Sequence, residues 1–287
     1  MPIPKPGLAH WAQLKMTPIQ TPLPSPVTLT VGRAGPSDAS RTPMVLAHGL
    51  LGTSRNWGSF TSTWAQDRPV LSCDMRNHGA SPRDPAMGYL AMAADLAALI
   101  KAEGTPAIVL GHSMGGKAAM ALALTWPALV AALVVVDIAP LPNPGPGFVD
   151  YLDAMMAIDL GGLTKRSDAD AALQAVAPEP MIRGFLLQNL VRGPDGFVWS
   201  GNLPVLRESM PAILDWPEPL PGLQYGGPVL AIGGADSRYI NERGSAAIRQ
   251  QFPAADIQHI PGAGHWVHAD QPRAFGDLIA GFLRRHG

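Results

Sequence analysis

The sequence predicts an α/β fold, in which helices cover both faces of a mostly parallel β-sheet. From residue 27 onward, short apolar segments alternate with longer segments whose apolar residues recur at helical spacing. The short segments are apolar throughout, which is typical of parallel strands that are buried on both sides. The alternation stops near residue 141 and resumes near residue 229, which indicates one large insertion into the α/β core.

The first part of the core contains five predicted strands and three predicted helices. The strands are predicted at 27–31, 44–47, 70–73, 107–110 and 133–136, and the helices at 54–66, 89–103 and 118–125. The helix at 89–103 carries Met92, Leu96 and Ile100 on one face. Residues 118–136 carry no charge, but Pro127 divides them into a helix and a strand, which favours a buried core segment over a membrane span.

The second part of the core resumes the alternation and ends in an amphipathic helix. A strand is predicted at 229–232, a helix at 241–251, a strand at 256–260 and a final helix after that. In the final helix, Asp270 is the predicted N-cap and Pro272 lies in the first turn. Phe275, Ile279 and Phe282 then share one face of this helix, which we expect to be buried.

The chain therefore divides into an extension, a core and a cap. Helical stretches are predicted at 149–158, 168–176, 181–190 and 203–214, separated by clusters of glycine and proline. These stretches predict a small helical cap at 141–227 rather than a second domain. The core comprises 27–140 and 228–287, and residues 1–26 form a proline-rich N-terminal extension.

Composition excludes several classes of protein. The 287 residues include 21 Lys and Arg and 22 Asp and Glu, and this net charge of −1 provides no electrostatic footprint for nucleic acid or a membrane surface. The one cysteine, Cys73, cannot form an internal disulfide or a cysteine-rich zinc site, and residues 1–26 lack the apolar segment of a signal peptide. We therefore expect a cytoplasmic protein, and the sequence is compatible with a homo-oligomer.

The sharpest motif is Gly-His-Ser-Met-Gly at 111–115, which directly follows a predicted strand and precedes a helix. A nucleophile on such a tight turn needs glycine two residues to either side, because larger side chains would clash. Ser113 is therefore the predicted nucleophile, and the alternative is an ordinary serine at a helix N-cap.

A serine hydroxyl needs a base to remove its proton during attack. In folds with this strand-to-helix nucleophile, the histidine follows the nucleophile and the acid in the chain. His265 lies in a loop after the strand at 256–260 and is the favoured base, with His268 as the less favoured alternative. A metal site formed by these two histidines would lack a third obvious ligand.

Two aspartates compete for the role of the acid that orients the histidine. Asp137 follows the strand at 133–136, and Asp236 follows the strand at 229–232 in the sequence Gly-Gly-Ala-Asp. Both are expected at the edge of the sheet where Ser113 lies, so the residues alone do not decide which aspartate is the acid.

The glycine-rich segment His-Gly-Leu-Leu-Gly at 48–52 follows the strand at 44–47. An acyl-transfer site needs backbone N–H groups directed at the oxyanion of the tetrahedral intermediate. The loop after this strand supplies one N–H and the residue after the nucleophile supplies the other. Leu50 and Met114 are therefore the predicted donors. No strand end carries a phosphate-binding glycine motif.

Taken together, these motifs resemble the α/β-hydrolase superfamily, and within it the small serine esterases of the YbfF type. The resemblance spans about residues 43 to 284 and rests on the following segments: His-Gly-Leu-Leu-Gly at 48–52, Asp-Met-Arg-Asn-His-Gly-Ala-Ser-Pro at 74–82, Gly-His-Ser-Met-Gly-Gly-Lys-Ala-Ala-Met at 111–120, Val-Asp-Ile-Ala-Pro at 136–140, Phe-Val-Trp at 197–199, and Gly-Ala-Gly-His-Trp-Val-His-Ala-Asp at 262–270.

The resemblance implies a carboxylesterase or thioesterase without cofactor and a helical cap over its active site. It also implies that Asp137 is the acid. The chain departs from the esterase pattern at Gly-Gly-Ala-Asp, where that group tends to carry asparagine and where most other α/β-hydrolases place their acid. Asp236 therefore stays the alternative acid.

The expected activity is cleavage of a small ester or thioester through an acyl-enzyme. The same serine site also suits a cofactor-free perhydrolase or a C–C hydrolase, and the fold also occurs in non-catalytic ligand receptors. A serine at position 113 disfavours the epoxide hydrolases and dehalogenases of this fold, which use a carboxylate nucleophile. We expect an apolar pocket with few charges, lined by these residues of the cap: Met155, Met156, Phe185, Leu186, Leu187, Phe197 and Trp199.

Overall fold

The computed structural model describes residues 24–36, 41–143, 147–218 and 220–287. The extension predicted at 1–26 lies outside these residues, except for 24–26. The described strands are β1 (Val31–Ala34), β2 (Met44–Ala47), β3 (Val70–Cys73), β4 (Ala107–His112), β5 (Val130–Val136), β6 (Leu190–Gly193), β7 (Gly196–Trp199), β8 (Val229–Gly234) and β9 (Ala255–Ile260).

Seven of these strands form one sheet in the order β1-β3-β2-β4-β5-β8-β9. Every neighbouring pair is parallel except β1 and β3, which are antiparallel. The strands β6 and β7 form a separate antiparallel hairpin. The structure thus confirms the predicted α/β class with a mostly parallel sheet.

The first strand lies later in the chain than the predicted 27–31, because β1 begins at Val31. The preceding amide groups bind side chains instead of a neighbouring strand. The Val27 N–H donates to Asp95 Oδ1 at 2.7 Å, and the Thr30 N–H donates to Ser81 Oγ at 2.8 Å. An extended segment held in this way has the same apolar pattern as a strand, so the pattern alone misplaces the boundary.

Helices cover both faces of the sheet. They are α1 (Gly58–Trp64), α2 (Tyr89–Glu103), α3 (Met114–Thr125), α4 (Phe148–Met156), α5 (Arg166–Leu173), α6 (Pro180–Leu187), α7 (Leu203–Glu208), α8 (Met210–Leu214), α9 (Glu242–Gln251), α10 (Val267–Asp270) and α11 (Pro272–His286). Among the described residues, no helix has both the length and the apolar character needed to cross a membrane.

Alternate residues of the central strands face two different hydrophobic clusters, as the pleat of a strand requires. In β2, Met44 and Leu46 belong to the cluster that contains Phe275 of α11. Val45 and Ala47 belong to the larger cluster, which contains residues of α2 and α3. The predicted burial of Phe275, Ile279 and Phe282 is confirmed.

The segment between β5 and β8 contains α4 to α8 together with the hairpin β6–β7. We call residues 141–227 the insertion. The sequence predicted only helices here, whereas the predicted helix 181–190 ends at Leu187 and Leu190 begins β6. The predicted helix 203–214 is divided at Ser209 into α7 and α8, because Pro211 in the first turn of α8 lacks the N–H that a continuous helix needs.

The N-cap predicted for the last helix is wrong. Asp270 is the last residue of the short helix α10, and Gln271 is the N-cap of α11. The Asp270 carboxylate accepts a hydrogen bond from the Gly264 N–H at 2.8 Å instead. Its side chain therefore holds the loop that follows β9 rather than the end of a helix.

Candidate active site

Ser113 lies on a tight turn between β4 and α3, with a φ of 52° and a ψ of −117°. This left-handed backbone is unfavourable for a residue with a side chain, so close packing has to maintain it. A Cβ on Gly115 would lie 2.5 Å from the Ala47 carbonyl oxygen, and a Cβ on Gly111 would overlap the Gly115 carbonyl. The two glycines thus let α3 approach β2 and β4 closely, as the motif predicts.

The structure places His265 between Ser113 and Asp137. Its Nε2 lies 3.1 Å from Ser113 Oγ, and its Nδ1 lies 2.7 Å from Asp137 Oδ2. The His265 carbonyl oxygen also lies 2.8 Å from Nε2 of His112, and the Tyr239 ring packs on the imidazole with 4.3 Å between ring centroids. The imidazole ring is therefore in contact with Ser113, Asp137 and Tyr239, while His112 contacts the backbone carbonyl of the same residue.

Asp137 is fully buried at the end of β5, and its φ of 49° turns the chain away from the sheet. Its Oδ1 accepts a hydrogen bond from the Gly234 N–H at 3.1 Å, and its Oδ2 accepts one from Ser237 Oγ at 2.6 Å. A buried carboxylate requires such donors, because an unpaired charge would be costly to remove from water. Both donors come from the end of β8 and the loop after it.

Asp236 is exposed on the same loop, and its side chain has no hydrogen bond to His265. Its backbone N–H donates to the Ala263 carbonyl oxygen at 3.0 Å, so its main chain holds the histidine loop. The residue after it, Ser237, is the one whose side chain reaches the buried carboxylate. Our reading of the sequence missed Ser237, since a hydroxyl in a glycine-rich loop has no distinctive pattern.

Leu50 and Met114, the two residues predicted to donate to the oxyanion, line one cavity together with Ser113. Met114 is the first residue of α3, so its N–H has no carbonyl one turn earlier within the helix. In the loop after β2, the Gly49 carbonyl oxygen accepts a hydrogen bond from the Gly52 N–H at 2.9 Å and lies 2.8 Å from His48 Nδ1. A Cβ on Gly49 would lie 3.3 Å from the Ser113 Cβ, which shows how closely this loop approaches the serine.

Four histidines around this site are buried: His48, His78, His112 and His268. Burial lowers the pKa of His48 to about 4, of His78 to about 3 and of His268 to about 4, and lowers the pKa of His112 well below its usual value. All four are therefore neutral near pH 7. His268 packs against Trp57 with 4.8 Å between ring centroids, and its hydrogen-bonding atoms do not contact Ser113.

Two cavities meet at Ser113, and both are lined by Leu50 and Phe148. The first lobe is also lined by His265, Trp57 and Phe185. The second lobe is lined mainly by apolar and aromatic side chains, together with Lys117. The described residues include no group of three or more His, Cys, Asp or Glu placed to hold a metal ion.

Most of the pocket residues predicted in the insertion lie elsewhere. Of the seven, Phe185 lines a lobe, while Met155, Leu186, Leu187 and Phe197 are buried in the larger hydrophobic cluster and Trp199 is half-buried against it. Met156 is 38% exposed. The residues of the insertion that line the lobes are Asn143, Phe148, Phe185, Ile213 and Leu214. Which apolar face of a short helix packs inward depends on the neighbouring helices, so composition alone could not identify these residues.

Comparison with known proteins agrees with this architecture. Residues 44–278 match the Alpha/beta hydrolase family. The chain is 42% identical over 251 residues to "sn-1-specific diacylglycerol lipase ABHD11" of Xenopus tropicalis, covering 84% of this chain and 77% of the relative. It is 38% identical over 248 residues to "Esterase YbfF" of Escherichia coli (strain K12), covering 86% of this chain and 93% of the relative.

Among solved structures, the fold is similar to that of a protein described as "Marine microorganism esterase". The TM-score is 0.84 at 32% sequence identity, and the match covers 89% of this chain and 99% of the other. The resemblance seen in the sequence motifs is thus confirmed over most of the chain. The chain belongs to the alpha/beta hydrolase family.

Proposed function

We propose that this protein is a serine hydrolase that cleaves carboxylic ester or thioester bonds of small, mainly apolar acyl substrates. One observation carries the proposal: hydrogen-bonding contacts run without interruption from Asp137 through His265 to Ser113, at 2.7 Å and 3.1 Å. Relatives named as an esterase and a diacylglycerol lipase support the same class of reaction.

In the first half of the reaction, Ser113 Oγ attacks the carbonyl carbon while His265 Nε2 accepts the hydroxyl proton. The buried carboxylate of Asp137 keeps the imidazole in the reactive tautomer and stabilises the imidazolium that forms. The N–H groups of Leu50 and Met114 donate to the oxyanion of the tetrahedral intermediate. The intermediate collapses to an acyl-serine when His265 returns the proton to the leaving alcohol or thiol.

In the second half, water enters the first lobe and attacks the acyl-serine. His265 removes a proton from this water, and the second tetrahedral intermediate is bound by the same two N–H groups. Ser113 then leaves with the proton from His265, which releases the carboxylic acid and restores the free enzyme.

The two lobes hold the two parts of the substrate. The leaving group occupies the first lobe, because His265, which must protonate it, lines that lobe. The acyl group occupies the second lobe, whose wall includes Ile138, Ile213 and Leu214. In this proposal residues 141–227 act as a cap on a core formed by 27–140 and 228–287, because α4, α6 and α8 each contribute a side chain to a lobe.

Replacement of Ser113 by alanine tests the proposal. The wild type should release a burst of one equivalent of product from an activated ester and should react with a fluorophosphonate probe. The S113A variant should lose both properties, with kcat lower by about 10⁴ to 10⁶. S62A is the matched control, since Ser62 is an exposed serine on α1, and it should behave as the wild type. Folded S113A protein that hydrolyses esters within tenfold of the wild-type rate would contradict the proposal.

A further inference from the structure

We infer that Gln188 and Asn189 of the insertion are positioning residues for the oxyanion-binding N–H of Leu50. The inference rests on the proposed function and assigns the insertion a part in the chemistry beyond covering the pocket. Its basis is a run of hydrogen bonds that passes from these two side chains through two peptide groups of the loop after β2.

Both side chains donate to one carbonyl. The Gln188 Nε2 lies 3.0 Å from the Leu51 carbonyl oxygen, and the Asn189 Nδ2 lies 2.9 Å from the same atom. The Asn189 Nδ2 also donates to the Leu186 carbonyl oxygen at 3.1 Å, so a flipped amide would place its oxygen against two other acceptors. The orientation of the Asn189 amide as a donor toward Leu51 is therefore determined by its surroundings.

The two donors are held in place before any substrate binds. Asn56 Nδ2 donates to Gln188 Oε1 at 3.1 Å, and the Ser200 N–H donates to the Asn189 carbonyl oxygen at 2.9 Å. Asn189 is fully buried, and its Oδ1 has no partner among the described residues. A buried amide oxygen without a partner lowers the stability of the fold. The Asn189 Nδ2, in contrast, donates to two carbonyl oxygens.

The Leu51 carbonyl is connected to the Leu50 N–H by two planar peptide groups. The peptide group that contains this carbonyl also contains the Gly52 N–H, which donates to the Gly49 carbonyl oxygen at 2.9 Å. The Gly49 carbonyl in turn shares its peptide group with the Leu50 N–H. Because a trans peptide directs its C=O and N–H in opposite directions, fixing the Gly49 carbonyl fixes the direction of the Leu50 N–H.

Leu51 would not keep its conformation without these contacts. Its φ is 59°, in the left-handed region that a residue with a branched side chain rarely adopts. Its N–H donates to Nε2 of the buried His78 at 3.1 Å, and its carbonyl accepts the two donors from the insertion. Loss of both donors frees the peptide group after Leu51 to rotate, and this rotation removes the hydrogen bond that aligns Gly49.

The test uses Q188E, N189A and the double variant in the full chain. Q188E keeps the acceptor for Asn56 but removes the donor to Leu51. With an activated short-chain ester, kcat should fall about 3- to 10-fold in each single variant and about 10²-fold in the double variant. The loss in the double variant should not exceed the loss of about 10² to 10³ that follows removal of one oxyanion donor. The KM should change less than threefold, because the ground-state carbonyl makes little use of the N–H.

A transition-state analogue provides the second readout. A trifluoromethyl ketone forms a hemiketal oxyanion on the serine, so its Ki should rise in proportion to the loss of kcat/KM. R207A is the control, because Arg207 pairs with Asp153 at 2.7 Å within the insertion and does not touch the loop after β2. R207A should keep the kcat and Ki of the wild type.

The outcomes separate this inference from the proposed function. A wild type without serine-dependent esterase activity would overturn the proposed function itself. An active wild type whose double variant keeps kcat within threefold, or raises KM with kcat unchanged, would overturn the positioning role. If the double variant does not fold, as judged by its thermal unfolding, Q188E and N189A decide by the same criteria, and a wild-type kcat and Ki in both would reject the inference.

Discussion

Ser237 Oγ lies 2.6 Å from Asp137 Oδ2, the same carboxylate oxygen that contacts His265 Nδ1. The hydroxyl comes from the loop after β8, and the carboxylate comes from the end of β5, the strand beside it in the sheet. The loop that carries Asp236 thus contributes the hydroxyl of Ser237 to the site, while the carboxylate is that of Asp137 on the neighbouring strand.

The first prediction concerns the two aspartates. D137N should lower kcat by about 10⁴, because the asparagine cannot hold the reactive tautomer of His265 or stabilise the imidazolium. D236N should keep at least half of the wild-type kcat, because the Asp236 side chain is exposed and away from the histidine. The measurement is kcat with one activated ester for both variants, and a loss confined to D236N would show that the assignment is wrong.

The second prediction concerns Ser237. S237A should lower kcat by about tenfold and the free energy of unfolding by about 1.5 to 3 kcal/mol, because a buried carboxylate loses a hydrogen-bond donor. S237T, which keeps the hydroxyl, should recover most of both losses. Steady-state kinetics and denaturant unfolding check the two effects, and equal behaviour of S237A and S237T would mean that the hydroxyl has no role.

The third prediction concerns the acyl lobe. Ile213 is a buried residue of α8 that lines the second lobe, so I213A should enlarge the space beside Ser113. We expect the ratio of kcat/KM for a decanoyl ester to that for a butyryl ester to rise at least tenfold. I182A, on α6 and outside both lobes, is the control with the same change in side chain. An unchanged ratio in I213A would place the acyl chain elsewhere.

The fourth prediction concerns pH. Burial lowers the pKa of Lys117 from 10.5 to about 8, while its Nζ donates to the Asp215 carbonyl oxygen at 2.8 Å. Between these two pH values the unfolded chain binds a proton that the folded protein does not bind. Stability contributed through this group therefore rises with pH across that window and falls as pH decreases toward 8.

The K117M variant isolates this effect, because the other titrating groups cancel in the comparison. The free energy of unfolding of the wild type, relative to K117M, should increase by about 2 kcal/mol from pH 7 to pH 9.5. Chemical denaturation at a series of pH values provides the curve. A flat difference between the two proteins would show that Lys117 keeps its ordinary pKa in the folded state.

The sequence predicted the parts of the fold and site that local patterns determine. Glycine spacing around Ser113 and the apolar strand before it reflect contacts within a few residues, so the turn was predictable. The choice between Asp137 and Asp236 was not, because β5 and β8 are neighbouring parallel strands and both aspartates follow strand ends at one edge of the sheet. The structure separates them by burial, since Asp137 is buried and Asp236 is exposed.

The insertion was less predictable for a different reason. Its elements are short, and their boundaries depend on packing between them rather than on periodicity within them. The hairpin β6–β7 carried a signal, Pro194-Asp195-Gly196 between two apolar segments, but the helical pattern before it extended the predicted helix too far. The contacts of Gln188 and Asn189 with Leu51 join residues more than 130 positions apart, and no local sequence pattern predicts such contacts.

Four described residues other than glycine have a positive φ: Leu51, Asn77, Ser113 and Asp137. Three of them belong to the proposed catalytic machinery or its support, and the Asn77 carbonyl binds the Asn202 N–H of the insertion at 2.8 Å. Directed evolution for heat resistance alone would favour substitutions that relax these turns, and the selected proteins would lose turnover as they gained half-life. Safer gains for an engineer lie at exposed positions of α11 such as Arg284 and Arg285, in its last turn and outside both lobes.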